Sequence, residues 1–555
     1  MASHTLFQRV EATTDLSVVQ SEAPKTKKTA CPVTSSLMSV RVRFAPSPTG
    51  MLHVGALRDC LFKQLFARHH GGELILRIED TDRTRYSADS EQEFIDTLRW
   101  VGIEFDEGPH IGGPHAPYRQ SERKEAGIYA EWIQVLLEKG GAYKAFETPE
   151  ELAEMREIQT INKQPTGYYG GAWRDASPEL VAEAEAAGKP FVIREKIRRD
   201  RTIVIEDAIR GRIEWDSNTV DDAVLIKGDG MPTYHFAAIV DDHLMVITHI
   251  MRGEEWISSA PKHAELFDLF GWPRPIFVHC PVIVGADGKK LSKRHGATRV
   301  LDYAAEGYTP AALKNFIALI GWSPGDEREA MTEAELIQAF DLKGLQPSPG
   351  RFDLDKLKWL NGHAIRAMEP SDLLDATVAF ALAPYTEGYW DGFVPDPEIP
   401  GHAQVDPVKV KRGLDQLVSV ARYDRDFALA AVKLEQERVQ RLVELGEACE
   451  FFFVTEVELD PKAQAKWLGE PHVREMFKFI LSKLAESRVE TVEHYHDILH
   501  EFQTHMGFEK LGPVVHPTRV ALTGRTFGPG LFELMSVLGH DRITARLNRA
   551  LTLLP

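Results

Sequence analysis

Two stretches of the chain carry residues that could bind a nucleotide phosphate. The first, residues 46–56, holds His53 and Gly55 just before an apolar-striped segment of helical spacing. A helix start offers unpaired N–H groups and the positive end of the helix dipole, so a phosphate could lie there beside His53. Gly55 would let a flat ring approach the backbone. The loop lacks the GxxxxGK and GxGxxG spacings, which argues against P-loop kinases and dinucleotide-dependent dehydrogenases, although alone such a string often marks only a turn.

The second stretch, residues 284–296, is a glycine-rich loop that carries Lys289, Lys290, Lys293 and Arg294. Several cations on one loop could clamp a polyphosphate while charge moves onto a leaving pyrophosphate. Taken alone, a basic run is more often a solvated loop. The presence of both stretches in one chain favours nucleotide chemistry.

The elements that would position the first stretch form a β-loop-α-β unit. Alternating apolar residues over 40–44 predict a short strand, and the prolines of 45–50 predict an irregular loop. Apolar residues at helical spacing over 57–66 predict a helix, and the apolar run over 74–78 predicts a buried parallel strand.

The two stretches resemble the HIGH and KMSKS signatures of class I aminoacyl-tRNA synthetases, with Ala56 in place of the second His of the first signature. Further motifs follow in order, namely Arg-Phe-Ala-Pro-Ser-Pro-Thr-Gly at 43–50, Arg-Ile-Glu-Asp-Thr-Asp-Arg at 77–83, Tyr-Arg-Gln-Ser-Glu-Arg at 118–123, Gly-Met-Pro-Thr-Tyr-His-Phe-Ala at 230–237, Val-Asp-Asp-His-Leu-Met at 240–245 and Arg-Gly-Glu-Glu-Trp at 252–256. Together they resemble the bacterial-type glutamyl-tRNA synthetase family, from about Arg41 to the C-terminus.

This resemblance implies a Rossmann-type α/β catalytic domain with a parallel sheet, an α/β insertion and an all-α C-terminal anticodon-binding region. The expected parts are a disordered N-terminal extension, the first half of the catalytic domain, an acceptor-binding insertion, the second half, a stem-contact domain with the Lys-Leu-Ser-Lys-Arg loop, and the helical anticodon-binding domain. Their expected bounds are 1–39, 40–115, 116–231, 232–275, 276–365 and 366–555.

The resemblance also implies the site residues. Glutamate would be held by Arg43, Ala45, Ser47, Glu79, Tyr234 and Arg252. ATP would be held by Thr49, Gly50, His53, Gly55, Glu255, Trp256, Lys290 and Lys293, of which His53, Lys290 and Lys293 would act in catalysis. The fork of Arg43 suits the side-chain carboxylate, Glu79 the ammonium group, and Arg252 the α-carboxylate. The family often has Asn where this chain has Ala238, which removes a side-chain contact.

The implied activity is that of a glutamate–tRNA ligase. L-Glutamate would be activated by ATP, with Mg²⁺, to glutamyl-adenylate and transferred to the 3′ end of tRNA(Glu), with tRNA(Gln) left open as a second substrate. A nucleotidyltransferase of the same superfamily and the short relative that modifies a queuosine base are alternatives, but neither explains the helical residues 366–555. A catalytically dead RNA-binding paralogue is disfavoured by the intact site residues.

Length and composition bound the other expectations. A chain of 555 residues calls for several domains, and the absence of an apolar run near the roughly 20 residues of a membrane helix predicts a soluble protein. The net charge of −18 argues only weakly against a nucleic-acid partner, because tRNA is bound by local patches. Residues 1–39 are too acidic for a transit peptide, so we expect a cytoplasmic protein, and a monomer.

Cysteine usage argues against metal sites and disulfides. Four cysteines lie far apart without a CxxC pair. Ala145 and Glu147 stand where some family members have zinc-binding thiols, so we expect no zinc. Asp241 and Asp242 with the adjacent His243 could suggest a metal site, but neighbours in an extended segment face opposite sides, which favours structural or tRNA contacts.

Two further patterns make local predictions. Capping residues at Thr148, Ser177 and Thr309, each followed by Pro, predict helix starts. The arginines at 542, 546 and 549 share one face of the last helix, which is most often a solvated face and, in an anticodon-binding domain, would suggest RNA contact.

Overall fold

The computed structural model describes residues 39–47, 51–81, 88–291, 299–391, 393 and 406–554. Of the predicted features, residues 1–38 of the extension and the site residues Thr49, Gly50 and Lys293 lie outside the described residues.

The described strands are short and are spread over the first two thirds of the chain. They are β1 Arg41–Phe44, β2 Glu73–Leu76, β3 Ala142–Ala145, β4 Val192–Glu195, β5 Thr202–Asp207, β6 Gly211–Asp216, β7 Val224–Ile226, β8 His249–Gly253, β9 Ile276–Cys280, β10 Ile283–Val284 and β11 Gly350–Arg351.

The helices alternate with these strands at first and then follow one another without strands. Up to residue 367 they are α1 Val54–His69, α2 Ala88–Val101, α3 Gln120–Glu125, α4 Ile128–Glu138, α5 Pro149–Ile161, α6 Pro178–Ala186, α7 Tyr234–Leu244, α8 Ala260–Phe270, α9 Val300–Ala305, α10 Pro310–Ala318, α11 Glu333–Ala339 and α12 Leu354–Ala367. After it they are α13 Pro370–Ala381, α14 Pro407–Tyr423, α15 Arg425–Glu435, α16 Leu442–Phe453, α17 Pro461–Trp467, α18 Val473–Glu486, α19 Val492–Met506, α20 Gly512–Thr523 and α21 Leu531–Leu553.

Parallel strands form the centre of the N-terminal half. β1 pairs in parallel with β2, β8 with β9, and β9 with β5. Arg41 links the two groups, because its backbone oxygen accepts a hydrogen bond from the backbone N–H of Thr248 at 2.9 Å. The carboxyl ends of β2, β1, β8 and β9 therefore meet along one edge. The predicted β-loop-α-β unit, the parallel sheet and the helical C-terminal region are confirmed.

The strands between residues 116 and 231 belong to two different sheets. β3, β4 and β7 form an antiparallel sheet of their own. The hairpin of β5 and β6 instead extends the parallel sheet, because Asp207 pairs with Phe277 on β9. The segment predicted as one insertion thus contributes two strands to the sheet that carries the site.

The predicted helix starts are confirmed by their caps. The Thr148 hydroxyl accepts from the Glu151 N–H at 3.2 Å, and the Glu151 carboxylate accepts from the Thr148 N–H at 2.7 Å, which completes a capping box. The hydroxyls of Ser177 and Thr309 each accept one backbone N–H at 3.3 Å at the starts of α6 and α10.

The arginines of the last helix do not form a solvent-exposed stripe, so that prediction is wrong. Arg546 is buried, and its guanidinium donates to three backbone carbonyls, each at 2.6 Å, of Phe451, Val454 and Leu522. Arg549 also donates to a backbone carbonyl, at 3.0 Å. The helix is interrupted by a kink at Gly539, where φ is 77°, and the three arginines follow this kink.

Among the described residues, no helix is long and apolar enough to cross a membrane. Cys60, Cys280 and Cys449 are buried as free thiols.

Replacement of Arg546 by Ala should destabilise the C-terminal helices. It would leave two buried carbonyls and one partly buried carbonyl without a donor, which should lower the free energy of unfolding by about 2 kcal/mol or more. The control is Arg542→Ala, because Arg542 is exposed and contacts the Phe427 ring with its guanidinium carbon 4.4 Å from the centroid, a contact worth about 1 kcal/mol or less. Urea unfolding followed by circular dichroism measures both, and equal losses would contradict the assignment.

Candidate active site

A cavity of about 790 Å³ opens at the carboxyl edge of the parallel sheet. Every predicted site residue that the structure describes lines it, namely Arg43, Ala45, Ser47, His53, Gly55, Glu79, Tyr234, Arg252, Glu255, Trp256 and Lys290. The structure thus brings together residues that are up to 247 positions apart in the sequence, from Arg43 to Lys290.

The strand ends explain why charged residues converge there. Arg43 lies on β1, Arg252 lies on β8, and Glu79 follows β2, so the three side chains come from adjacent strands. Open α/β sheets place ligands beyond the carboxyl ends of their strands. The backbone N–H of Glu79 donates to the Pro46 oxygen at 2.9 Å, which fixes the segment after β2 against the loop after β1.

Arg43 is held by a carboxylate that it shares with a second arginine. Its Nε donates to Asp242 Oδ1 at 2.8 Å and its Nη1 to the Met251 oxygen at 3.3 Å. Arg77 Nη1 donates to the same Oδ1 at 2.7 Å. All three side chains are buried. Burial alone would raise the pKa of the Asp242 carboxyl, but the two guanidinium groups hold that pKa below its ordinary value.

Arg77 also fixes Glu79. Arg77 Nη2 donates to Glu79 Oε1 at 3.1 Å, and the Arg77 side chain has no exposed surface. Burial raises the pKa of Glu79 above its ordinary value, and the neighbouring Arg77 and Arg43 partly oppose this. The buried guanidinium of Arg77 therefore connects Glu79, at the cavity wall, to Asp242, which holds Arg43.

Asp241 and Asp242 lie on helix α7 and not in an extended segment, so the expected backbone is wrong there. On a helix, neighbouring side chains differ by about 100° in direction. Asp241 accordingly faces further groups, and accepts from Arg123 Nε at 2.6 Å, the Tyr129 hydroxyl at 2.9 Å and Gln120 Nε2 at 2.9 Å. It shares Arg77 with Asp242, since Arg77 Nε lies 3.8 Å from Asp241 Oδ2. Both aspartates form ion pairs with buried arginines, which are structural contacts.

Arg252 is held by two histidines. Its Nε donates to His279 Nε2 at 3.0 Å, and its Nη1 lies 2.8 Å from His263 Nδ1 and 3.4 Å from the Tyr234 hydroxyl. Its Nη2 is buried and has no partner within the described part of the chain. Burial lowers the pKa of Arg252.

Both histidines have further partners. His279 Nδ1 lies 2.7 Å from Asp207 Oδ2, and His263 Nε2 lies 3.1 Å from His235 Nδ1. Burial lowers the pKa of His263 and His279, and it lowers the pKa of His235 to about 4.

The described residues that are predicted to bind the nucleotide also line the cavity. His53 precedes the first turn of α1, its side chain is exposed, and α1 is fixed by buried residues such as Leu57 and Leu61. A Cβ at Gly55 would meet no atom within 4 Å, so the space above this glycine is open. Lys290 is exposed on the hairpin after β10.

Glu255 and Trp256, which follow the end of β8, also line this part of the cavity. Glu255 and Trp256 are exposed, and the Trp256 ring lies 4.5 Å from the Tyr234 ring, measured between centroids. The Tyr234 hydroxyl in turn lies 3.4 Å from Arg252 Nη1, so the aromatic pair adjoins that arginine.

Comparison with known proteins assigns the fold to a family. The family described as "tRNA synthetases class I (E and Q), catalytic domain" matches residues 39–359, and that described as "Anticodon binding domain" matches residues 404–551. A glutamate–tRNA ligase of Acidothermus cellulolyticus is 42% identical over 92% of this chain and 95% of its own length, and one of Desulforudis audaxviator is 40% identical over 92% and 96%. The chain belongs to the glutamate–tRNA ligase family.

A solved member of the glutamate–tRNA ligase family has the same architecture. The crystal structure of a glutamate tRNA ligase from Elizabethkingia meningosepticum in complex with its amino acid aligns with a TM-score of 0.80 and 35% identity, and the alignment covers 93% of this chain and 100% of that one. The predicted family and its class I catalytic domain are confirmed.

Motif matching does not identify the buried residues that hydrogen-bond to Arg43, Glu79 and Arg252. The motifs assign no role to Arg77, which lies within Arg-Ile-Glu-Asp-Thr-Asp-Arg, and none to His263 or His279. They suggest for Asp242 only structural or tRNA contacts. A signal was available for Arg77, because it lies two residues before Glu79 and so points to the same side of the extended segment. His279 likewise lies at the end of a strand of the same sheet.

The described residues contain no group of three or more His, Cys, Asp or Glu side chains arranged to hold a metal ion. Asp241 and Asp242 are bonded to protein cations, and Ala238 is buried on α7.

The lowered pKa of the half-buried His235 predicts a loss of stability in mild acid. His235 protonates near pH 6.5 when unfolded but only near pH 4 when folded, so between these values the unfolded state binds more protons and the free energy of unfolding falls as the pH falls. Between pH 7 and pH 5, His235→Gln should lose roughly 1–2 kcal/mol less stability than the unmodified protein. Urea unfolding at both pH values measures this. The exposed His500→Gln is the control, and the same pH dependence in all three proteins would contradict the prediction.

Proposed function

We propose that the protein activates L-glutamate with ATP and transfers the glutamyl group to the 3′ end of tRNA(Glu). The observation that carries this proposal is the pair of buried guanidinium groups, Arg43 and Arg252, in a cavity that also presents Glu79. A ligand with two carboxylates and one ammonium group matches that arrangement of charges. Glutamate is such a ligand.

In the proposed complex, Arg43 binds the side-chain carboxylate and Arg252 the α-carboxylate. Glu79 accepts from the ammonium group, and Ala45, Ser47 and Tyr234 complete the walls. Support comes from the different surroundings of the two arginines. Arg43 is locked by Asp242, which favours a fixed specificity contact, whereas Arg252 has an unpartnered Nη2 in the described structure. Glutamine lacks the negative charge that Arg43 would pair with.

The proposed chemistry needs no protein nucleophile. The α-carboxylate attacks the α-phosphate of ATP in line, which yields glutamyl-adenylate and pyrophosphate. A terminal ribose hydroxyl of the tRNA then attacks the glutamyl carbonyl, which forms the ester and releases AMP. His53, Lys290 and Lys293 stabilise the phosphate charge in the transition state. Thr49, Gly50, Gly55, Glu255 and Trp256 hold the nucleotide. Mg²⁺ enters as part of the ATP substrate, because its ligands are then phosphate oxygens and water.

We also propose that the protein acts as a cytoplasmic monomer without zinc. Ala145 and Glu147 carry no thiol. Ala145 lies within β3, and the Glu147 carboxylate accepts a hydrogen bond from the Tyr168 hydroxyl. The proposed tRNA contacts are divided among the insertion at 116–231, the stem-contact domain at 276–365 and the helical domain at 366–555.

Aminoacylation with labelled glutamate tests the proposal. Purified transcripts of tRNA(Glu) and tRNA(Gln) are charged separately in the presence of ATP and Mg²⁺. Charging of tRNA(Glu) alone would establish a discriminating enzyme, and charging of both would add tRNA(Gln) to its substrates. Charging of neither would refute the proposal and favour an RNA-binding paralogue.

Lys293→Ala should lower adenylate formation, measured by pyrophosphate exchange with tRNA(Glu) present, by about 100-fold or more, because it removes a cation from the phosphates. Lys289→Ala is the control, since Lys289 belongs to the same basic run but lies outside the proposed site. Its rate should stay within about 3-fold of the unmodified enzyme, in the range of a surface change. Near-normal exchange by Lys293→Ala would remove the proposed role.

A further inference from the structure

The guanidinium of Arg252 differs from those of the other buried arginines around the site in what it binds. Arg43 and Arg77 bond to Asp242, and Arg123 bonds to Asp241. Arg252 bonds to two imidazole rings and a phenol instead, and no described carboxylate forms an ion pair with it. Its charge is therefore not neutralised by a neighbouring anion.

The hydrogen bonds fix the state of both rings. A guanidinium only donates, so His279 Nε2 and His263 Nδ1 must both accept. An imidazole that accepts at one nitrogen is neutral and carries its proton on the other. His279 Nδ1–H then donates to Asp207 Oδ2, and His263 Nε2–H donates to His235 Nδ1.

The backbone in turn holds Asp207. Its Oδ1 accepts from the N–H groups of Ile209 at 3.0 Å and Arg210 at 2.9 Å, and its Oδ2 also accepts from the His279 N–H at 3.1 Å. His263, His279 and Asp207 are all buried. The rings therefore have little freedom to turn away from Arg252.

We infer that His263 and His279 are positioning residues that hold Arg252 through uncharged acceptors and so leave its full charge and its Nη2 for a substrate carboxylate. A carboxylate in their place would hold the guanidinium equally well but would compete with the substrate for its charge. The inference rests on the proposed function in one respect, namely that the substrate carboxylate is that of glutamate.

The two rings use opposite nitrogens, which permits a mirrored test. Gln places an oxygen or nitrogen where His has Nε2, and Asn places one where His has Nδ1. His279→Gln and His263→Asn therefore keep an acceptor for Arg252, whereas His279→Asn and His263→Gln remove it. Gln keeps the acceptor at position 279 but removes it at position 263, and Asn does the reverse. An effect that came only from side-chain size or from the loss of an aromatic ring would therefore not follow this pattern.

The measurements are the KM for L-glutamate and for ATP in aminoacylation, together with the calorimetric Kd for L-glutamate. The two variants that lose the acceptor should raise the glutamate KM and Kd about 10-fold, since a hydrogen bond that orients a charged group is lost. The two that keep it should stay within about 3-fold, and the KM for ATP should change little in all four. Thermal midpoints of all four variants record their stability.

Weaker glutamate binding by His279→Asn and His263→Gln, with near-normal binding by His279→Gln and His263→Asn, would support the inference. Equal effects of Asn and Gln at both positions, whether all harmless or all harmful, would overturn it, because a purely structural role does not depend on which nitrogen is replaced. Failure of the unmodified enzyme to charge tRNA would refute the proposed function, whereas the calorimetric pattern would still decide the role of the two histidines.

Discussion

The carboxylate of Asp242 is the group on which the rest of the site depends. Arg43 from β1 and Arg77 from the end of β2 both donate to its Oδ1, and Arg77 also binds Glu79. A buried guanidinium is costly unless it is paired, and removal of one partner of such a pair leaves an uncompensated buried charge. The helix that carries Asp242 thereby fixes the ends of two strands, and with them two of the charged groups that face the cavity.

The site combines a neutralised and an unneutralised arginine. Arg43 shares a carboxylate, whereas Arg252 is held by imidazoles among the described residues. With Arg77, Asp242 and Glu79 included, these side chains carry one excess positive charge, and a glutamate zwitterion carries one negative charge. Charge balance and the separate surroundings of the two arginines thus lead to the same ligand by independent arguments.

The sequence was sufficient for features that depend on local signals. Alternating residues predict β1, and capping residues such as Thr148 predict helix starts. The expectation that Arg43, Glu79 and Arg252 line one site comes instead from the family resemblance of their motifs. Partners distant in sequence could not be predicted, since 199 positions separate Arg43 from Asp242. Helical spacing placed Arg546 on one face but carried no information on whether that face is buried, because its carbonyl partners lie on other helices.

The most direct test of the central role of Asp242 is the KM for L-glutamate of Asp242→Asn compared with that of Asp241→Asn. Both side chains are buried neighbours on α7, and both substitutions remove a charge that is paired with arginine, but only Asp242 contacts Arg43. We predict a rise of about 10-fold or more in the glutamate KM for Asp242→Asn, with the ATP KM within about 3-fold, and a near-normal glutamate KM for Asp241→Asn despite a lower thermal midpoint. Equal glutamate KM values for the two variants would contradict the account.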